Sequence, residues 1–151
     1  IMPEIKDVGF MADSVRIPTN TSSLIMLNVT FKTLLSEAGE PLLTRELIND
    51  IYEKASSGAQ KDMLVYSDKQ NVSSDLAGFQ AAVIIEGVET HTRTGFIQVD
   101  AATLKECGIE AASDVRIPVA HAKIFGWYDN ELGSYVNMLG RLTVYVDKNM
   151  P

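Results

Sequence analysis

Cysteine is nearly absent. Cys107 is the one thiol in 151 residues, so no internal disulfide can form, and a reducing cytoplasm is the expected setting. Long apolar runs are missing as well. Stretches such as Leu24–Leu27 and Ala81–Ile85 fall far short of the roughly 20 residues a spanning helix needs, and no signal-peptide pattern is visible. Positive charge is in short supply. Lys and Arg number 13 against 20 Asp and Glu, for a net charge of −7, which argues against nucleic acid or a membrane surface as a partner. An anionic small molecule remains compatible, because one placed arginine outweighs distant charge screened by salt. Glycine-rich phosphate cradles are missing in both the G-x-G-x-x-G and the G-x-x-x-x-G-K-[ST] form, so the chain has no recognisable nucleotide-binding fold of its own. No G-x-S-x-G elbow occurs either. His91 and His121 lie far apart without metal-ligand spacing, and no metal site is expected.

What is present suits one globular domain. The chain is 46% hydrophobic and 22% charged, long enough to bury roughly 70% of the surface its unfolded form exposes. It opens at Ile1 and runs almost at once into a strand-like segment, which reads as a piece of a longer polypeptide. Gly9–Thr19 and Ser22–Thr33 are predicted strands joined by the turn formers Pro18–Ser22. In the second, Ile25, Leu27, Val29 and Phe31 alternate with Met26, Asn28 and Thr30, the period of a half-buried strand. Leu35–Leu43 is a loop. Thr44 opens a helix that closes near Ser56 with Gly58 as its cap, and Leu47, Ile48, Ile51, Tyr52 and Ala55 share one face. Strands follow at Met63–Ser67, Phe79–Glu86 and Gly95–Asp100, with a turn at Ser73–Asp75 between the first two. A short helix runs over Asp100–Ile109. Val115–Trp127 is the last strand, with Pro118 implying a bulge or an edge position. The final helix, from Asp129 to about Asp147, carries Leu132, Tyr135, Val136, Leu139, Leu142, Thr143 and Val146 on a broad stripe that needs a partner surface. Strands punctuated by separate helices predict an α+β fold: a mixed, largely antiparallel sheet covered by helices on one face.

Three places invite chemistry. Cys107 falls at the end of the Asp100–Ile109 helix beside Glu106, where the helix dipole opposes thiolate formation, so it reads as structural or incidentally exposed. Arg16 stands at a predicted strand end before a turn lined by Thr19, Thr21 and Ser22. That setting suits an anion site, while pattern alone favours a surface ion pair with Asp13; Arg116-Ile117-Pro118 repeats the same tripeptide. In Trp127-Tyr128-Asp129-Asn130-Glu131-Leu132-Gly133, Asp129 and Asn130 are good helix caps, and the aromatic pair before them suits core packing.

Several segments, taken in order, resemble the glyceraldehyde-3-phosphate dehydrogenase family. Ile1-Met2-Pro3-Glu4 is similar to its V-I-P-E-L lead-in, and Val15-Arg16-Ile17-Pro18-Thr19 to its R-V-P-T strand end. The helix Ile48–Ser56 resembles its I-x-x-x-x-x-x-A-S helix. Leu64–Ser67 and Val72–Asp75 resemble L-x-Y-T and V-S-x-D, and Trp127–Gly133 its W-Y-D-N-E-x-G signature. About 78–112 lies outside the match. Where the family continues with Y-S-N-R, this chain reads Ser134-Tyr135-Val136-Asn137, so Ser134 stands where an aromatic residue normally flanks the nicotinamide.

The resemblance implies a partial catalytic domain over 1–128 and, over 129–151, a helix that packs on an NAD-binding domain outside this chain. The family's S-C-T-T-N nucleophile motif and its activating histidine would also lie upstream. Cys107 does not match that motif, so no catalytic residue is assigned here. Arg16 is implied as a substrate-phosphate ligand. Asn130 is implied as the residue that holds the nicotinamide carboxamide of NAD or NADP, a task suited to a side chain with both donor and acceptor. The implied partners are a small phosphorylated aldehyde, inorganic phosphate and further copies in a homo-oligomer. The implied reaction is oxidation of the aldehyde through a cysteine thioester, with the isolated chain inactive. Other readings are a non-catalytic oligomerisation or binding module of the same fold, or a related enzyme acting on erythrose 4-phosphate.

Overall fold

The computed structural model describes residues 3–6, 8–18 and 22–150. Among them, five strands form one sheet: β1 (Ser23–Lys32), β2 (Leu64–Ser67), β3 (Val83–Glu86), β4 (His91–Val99) and β5 (Val115–Tyr128). Three helices accompany it: α1 (Arg45–Ser57), α2 (Ala101–Glu106) and α3 (Ser134–Asn149). β5 is the spine. Along one side it pairs antiparallel with β1, from Ser23↔Tyr128 to Lys32↔Val119. Along the other it meets β4, from His91↔Lys123 to Val99↔Val115, and then β3 at Ile84↔Trp127 and Ile85↔Gly126. β2 adds on parallel to β3. The result is the expected α+β, mixed and mostly antiparallel sheet.

Alternation along β5 sends Ala122 and Ile124 to one face, where they form a core with Ile48 of α1, Leu64 and Ile85. α1 starts where Thr44 accepts a hydrogen bond from the Leu47 N–H at 3.2 Å, and Gly58 caps its end onto the Ala55 carbonyl. Of its predicted apolar face, Ile48 is buried while Leu47 and Ile51 are exposed. The helix is rolled by its polar side chains instead: Asn49 Nδ2 and Arg45 Nη2 donate to the Gly87 carbonyl at 2.9 and 3.4 Å. α2 begins at Asp100, whose carboxylate accepts from the Thr103 N–H at 2.8 Å, and ends before Gly108 at φ +77°.

Five expectations need correction. Residues 9–18 form no strand, and Phe10, Met11, Val15 and Ile17 are all more than 60% exposed; without a hydrogen-bonding partner an extended segment has nothing to hold it. The turn expected at 18–22 falls partly on Thr19, Asn20 and Thr21, outside the described residues. β1 is not half-buried: Ile25, Leu27 and Phe31 point to the α1 side yet stay 39–48% exposed, because no helix among the described residues reaches over them.

Pro118 is neither at an edge nor in a bulge. It lies in the central strand, and its carbonyl accepts from the Thr33 N–H at 3.2 Å, so its missing N–H faces the side where the β1 ladder has just ended at Lys32. The reciprocal bond to the Thr33 carbonyl cannot form, and the β1 ladder stops there. β3 is shorter than predicted because the carbonyls of Phe79 and Gln80 are taken by Ser134 Oγ and Asn137 Nδ2. The last helix starts at Ser134 and not at Asp129, for reasons given by the geometry of Asp129 itself.

Candidate functional site

The Trp127–Gly133 segment leaves the sheet at the end of β5 and is clamped at three points. Trp127 Nε1 donates to Glu86 Oε2 at 2.5 Å, and the other oxygen of that carboxylate takes the Asn71 N–H at 2.8 Å. Glu86 is 2% exposed. Asp129 forms the second clamp. Its carboxylate accepts from the Gly78 N–H at 2.7 Å, from Glu131 at 2.9 Å and from Leu132 at 3.1 Å. The Gly78 bond, then those from Leu132 and Glu131, hold this carboxyl below its ordinary 3.8. By closing a turn over residues 129–132 the side chain delays the helix, which is why Asp129 is not its cap. At the third clamp, buried Ser134 accepts from the Asp129 N–H at 3.1 Å and donates to the Phe79 carbonyl at 3.4 Å. Gly133 lies so close to Phe79 that a Cβ would meet the Phe79 carbonyl and come within 2.9 Å of the Gly78 carbonyl carbon.

Asn130 rides on this turn and is exposed. Its Nδ2 donates to Ser23 Oγ at 3.3 Å, and Oδ1 has no partner among the described residues. The carboxamide therefore keeps acceptor capacity toward solvent from a fixed backbone. Ser134, at the position where the resemblance places an aromatic ring, is 1% exposed and serves the turn.

Arg16 is exposed and makes no ion pair with Asp13 among the described residues. Of the hydroxyls expected around it, Thr19 and Thr21 lie outside the described residues, and Ser22 donates to the Ser73 carbonyl at 3.3 Å. No hydrogen bond among the described residues joins Arg16 to Asn130. The second Arg-Ile-Pro copy is distinguished by its setting, since Arg116 stacks 4.4 Å over the Phe96 ring.

Cys107 is exposed at the C-terminal cap of α2. The histidines come closer than their sequence separation suggests, because Arg93↔His121 and His91↔Lys123 are cross-strand pairs. They line a shallow groove of about 400 Å³ with Asn28, Thr30, Arg93 and Lys123. His121 Nδ1 bonds Thr30 Oγ1 at 2.9 Å, and His91 lies 3.7 Å from Glu89. Among the described residues, no three His, Cys, Asp or Glu side chains converge as metal ligands would.

α3 leaves bare the apolar stripe that calls for a partner surface. Leu132 before it and Tyr135, Val136, Leu139, Leu142 and Val146 along it are 42–77% exposed. Its ties to the rest are polar: Asn137 Nδ2 to the Gln80 carbonyl at 2.7 Å and Arg141 Nη1 to the Asp62 carbonyl at 2.9 Å. No helix among the described residues is long and apolar enough to cross a membrane. Glu86 was missed by sequence reasoning. Its signal was a carboxylate closing the apolar run Ala81–Ile85, where burial demands a partner.

No protein-family model matches the chain. Its sequence is similar to curated glyceraldehyde-3-phosphate dehydrogenases. The enzyme of Borreliella burgdorferi is 30% identical over 135 residues, covering 88% of this chain and 30% of that protein. The cytosolic enzyme of Chlamydomonas reinhardtii is 28% identical over 148 residues, 98% of this chain and 33% of its own length. Glyceraldehyde-3-phosphate dehydrogenase 1 of Streptomyces avermitilis is 28% identical over 146 residues, 97% of this chain and 33% of its own length. The chain thus spans about a third of the length of the curated relatives it matches, and it fits a C-terminal portion of such a protein.

Proposed function

We propose that this chain is the C-terminal portion of a phosphorylating, glyceraldehyde-3-phosphate dehydrogenase-like enzyme, and that the intact protein oxidises a phosphorylated aldehyde with NAD or NADP. Residues 1–128 belong to the catalytic domain on this reading, and 129–151 supply a helix that docks on a dinucleotide-binding domain elsewhere in the protein. The observation that carries it is the Asn130 turn: a carboxamide held at the surface by the Asp129 and Glu86 clamps, at the foot of a helix whose apolar side is bare.

The chemistry divides accordingly. A cysteine thiolate outside this chain adds to the aldehyde to give a thiohemiacetal, loss of hydride from that carbon gives a thioester, and phosphate displaces the thiolate from it. The dinucleotide, when bound, accepts the hydride. Arg16 binds the substrate phosphate and orients the aldehyde, so that attack becomes effectively intramolecular. Asn130 aligns the nicotinamide carboxamide through Oδ1 and Nδ2; its free acceptor fits that group. Cys107, exposed at a helix C-terminus, takes no part. The intact enzyme works as a homo-oligomer on this reading.

Kinetics of the intact protein test the assignment. Arg16→Ala should raise the KM for the phosphorylated aldehyde by tenfold or more, consistent with loss of a charge-assisted bond of about 1.5–3 kcal/mol, and leave the KM for the dinucleotide alone. Asn130→Ala should do the reverse. Equal effects of both variants on both substrates would contradict the division of labour. Running glyceraldehyde 3-phosphate beside erythrose 4-phosphate separates the two substrate readings.

A further inference from the structure

Resting on the reading of Asn130 above, we propose that Glu86 is a positioning residue: its buried carboxylate fixes the end of β5 through Trp127 and so sets the Asn130 carboxamide. Glu86 touches neither substrate nor dinucleotide on any part of this reading. It acts through the indole three residues before Asn130.

The geometry is specific. The Glu86 backbone is anchored from the α1 side, because the next carbonyl, that of Gly87, accepts from both Arg45 and Asn49. Gly87 itself is pressed against the Tyr66 ring, so that no Cβ could be added there without displacing it. From this fixed origin the two carboxylate oxygens reach two separate segments, the Asn71 N–H at 2.8 Å and Trp127 Nε1 at 2.5 Å. Charge-assisted bonds to a buried acceptor are strong and directional. Trp127 also pairs with Leu24, and Tyr128 with Ser23, the residue whose hydroxyl receives Asn130 Nδ2. The place where β5 leaves the sheet and the place where Asn130 is tethered are thus neighbours, and Glu86 holds the first. Asp129 holds the turn that follows, gripping Gly78 and its own neighbours; at the strand end β1 and β3 pair with the backbone, and Glu86 fixes the Trp127 side chain.

Two variants of the intact protein separate positioning from mere folding. Glu86→Gln keeps the shape and offers one acceptor oxygen where two donors need one each. Trp127→Phe removes the indole donor and keeps an aromatic ring beside Ile84. Each should lower kcat on the order of tenfold, as expected of a small misplacement of a reacting group, raise the KM for the dinucleotide, and leave the KM for the phosphorylated aldehyde unchanged. With aldehyde deuterated at the reacting carbon, each should also loosen the choice of nicotinamide face that receives the label, a readout that a purely structural residue does not move. Retention of wild-type kcat, dinucleotide KM and facial selectivity in folded Trp127→Phe overturns the proposal, as does a parallel loss of affinity for both substrates. Asn130→Ala run alongside tells the two levels apart. If it is silent, the reading of the site fails and this proposal falls with it; if it is impaired while both other variants are normal, only the role of Glu86 fails.

Discussion

The Asp129 carboxylate takes the backbone N–H of Gly78 at 2.7 Å across 51 residues of sequence. Together with its bonds to Glu131 and Leu132, this makes one side chain responsible for a turn, for the start of α3 and for tying both to the loop before β3. Asp129→Ala should therefore destabilise the protein by about 3 kcal/mol, since three N–H donors lose a charged acceptor. Urea midpoints measure it.

The same carboxyl sets an acid limit. Its folded-state pKa lies below the ordinary 3.8, chiefly because of the Gly78 N–H. Folding then binds fewer protons than the unfolded chain near that pH, so the contribution is complete above about pH 4 and is lost as pH falls through the lower folded value. The stability difference between the wild type and Asp129→Asn should be constant from pH 7 to about pH 5 and shrink below pH 4. A difference that grows on acidification would contradict the assignment.

Two glycines close together in sequence should respond with opposite signs. At Gly133 a Cβ would strike the Phe79 carbonyl and the Gly78 backbone, neither of which is the flexible end of a side chain. Gly133→Ala should cost about 2 kcal/mol or more. Gly140, in the middle of α3, has nothing within 4 Å of a Cβ, and Gly140→Ala should favour the helix by about 1 kcal/mol. Thermal unfolding followed by circular dichroism distinguishes the two.

The bare side of α3 makes a fourth prediction. Replacing Leu139 and Leu142 together by Glu should leave the melting temperature of this chain nearly unchanged, because both are already more than half exposed and exposed positions rarely matter by more than about 0.5 kcal/mol. In the intact protein the same pair should lower stability by several kcal/mol, on the order of the transfer free energy of two buried leucines. Equal insensitivity of both proteins would mean that the stripe has no partner.

Local chemistry was the legible part of the fold. Thr44 and Asp100 each cap a helix through a side-chain oxygen three residues upstream of the donor, and Gly108 ends α2 in the left-handed region; such features depend only on near neighbours. Period-2 alternation located β1 and showed which of its residues share a face, but not that the face would stay uncovered, since cover comes from elsewhere in the fold. The misses were all long-range. Residues 9–18 have strand-like composition and no strand partner among the described residues. Pro118 sits safely in a central strand because β1 happens to end beside it. Asp129 looked like a helix cap, but its carboxylate closes the 129–132 turn and ties it to Gly78 in another loop. For the candidate site, Asn130 was legible as part of W-Y-D-N-E-x-G, whereas Glu86 was not, because its partners Asn71 and Trp127 meet it only in three dimensions.

The most direct test of the central claim is NAD(P)H formation from glyceraldehyde 3-phosphate and inorganic phosphate, measured for the intact protein beside this 151-residue chain. The account predicts thiol-dependent turnover by the intact protein and none by the chain, whose single cysteine lies at the end of α2. Turnover by the chain alone, or an intact protein inert toward every phosphorylated aldehyde, would contradict it.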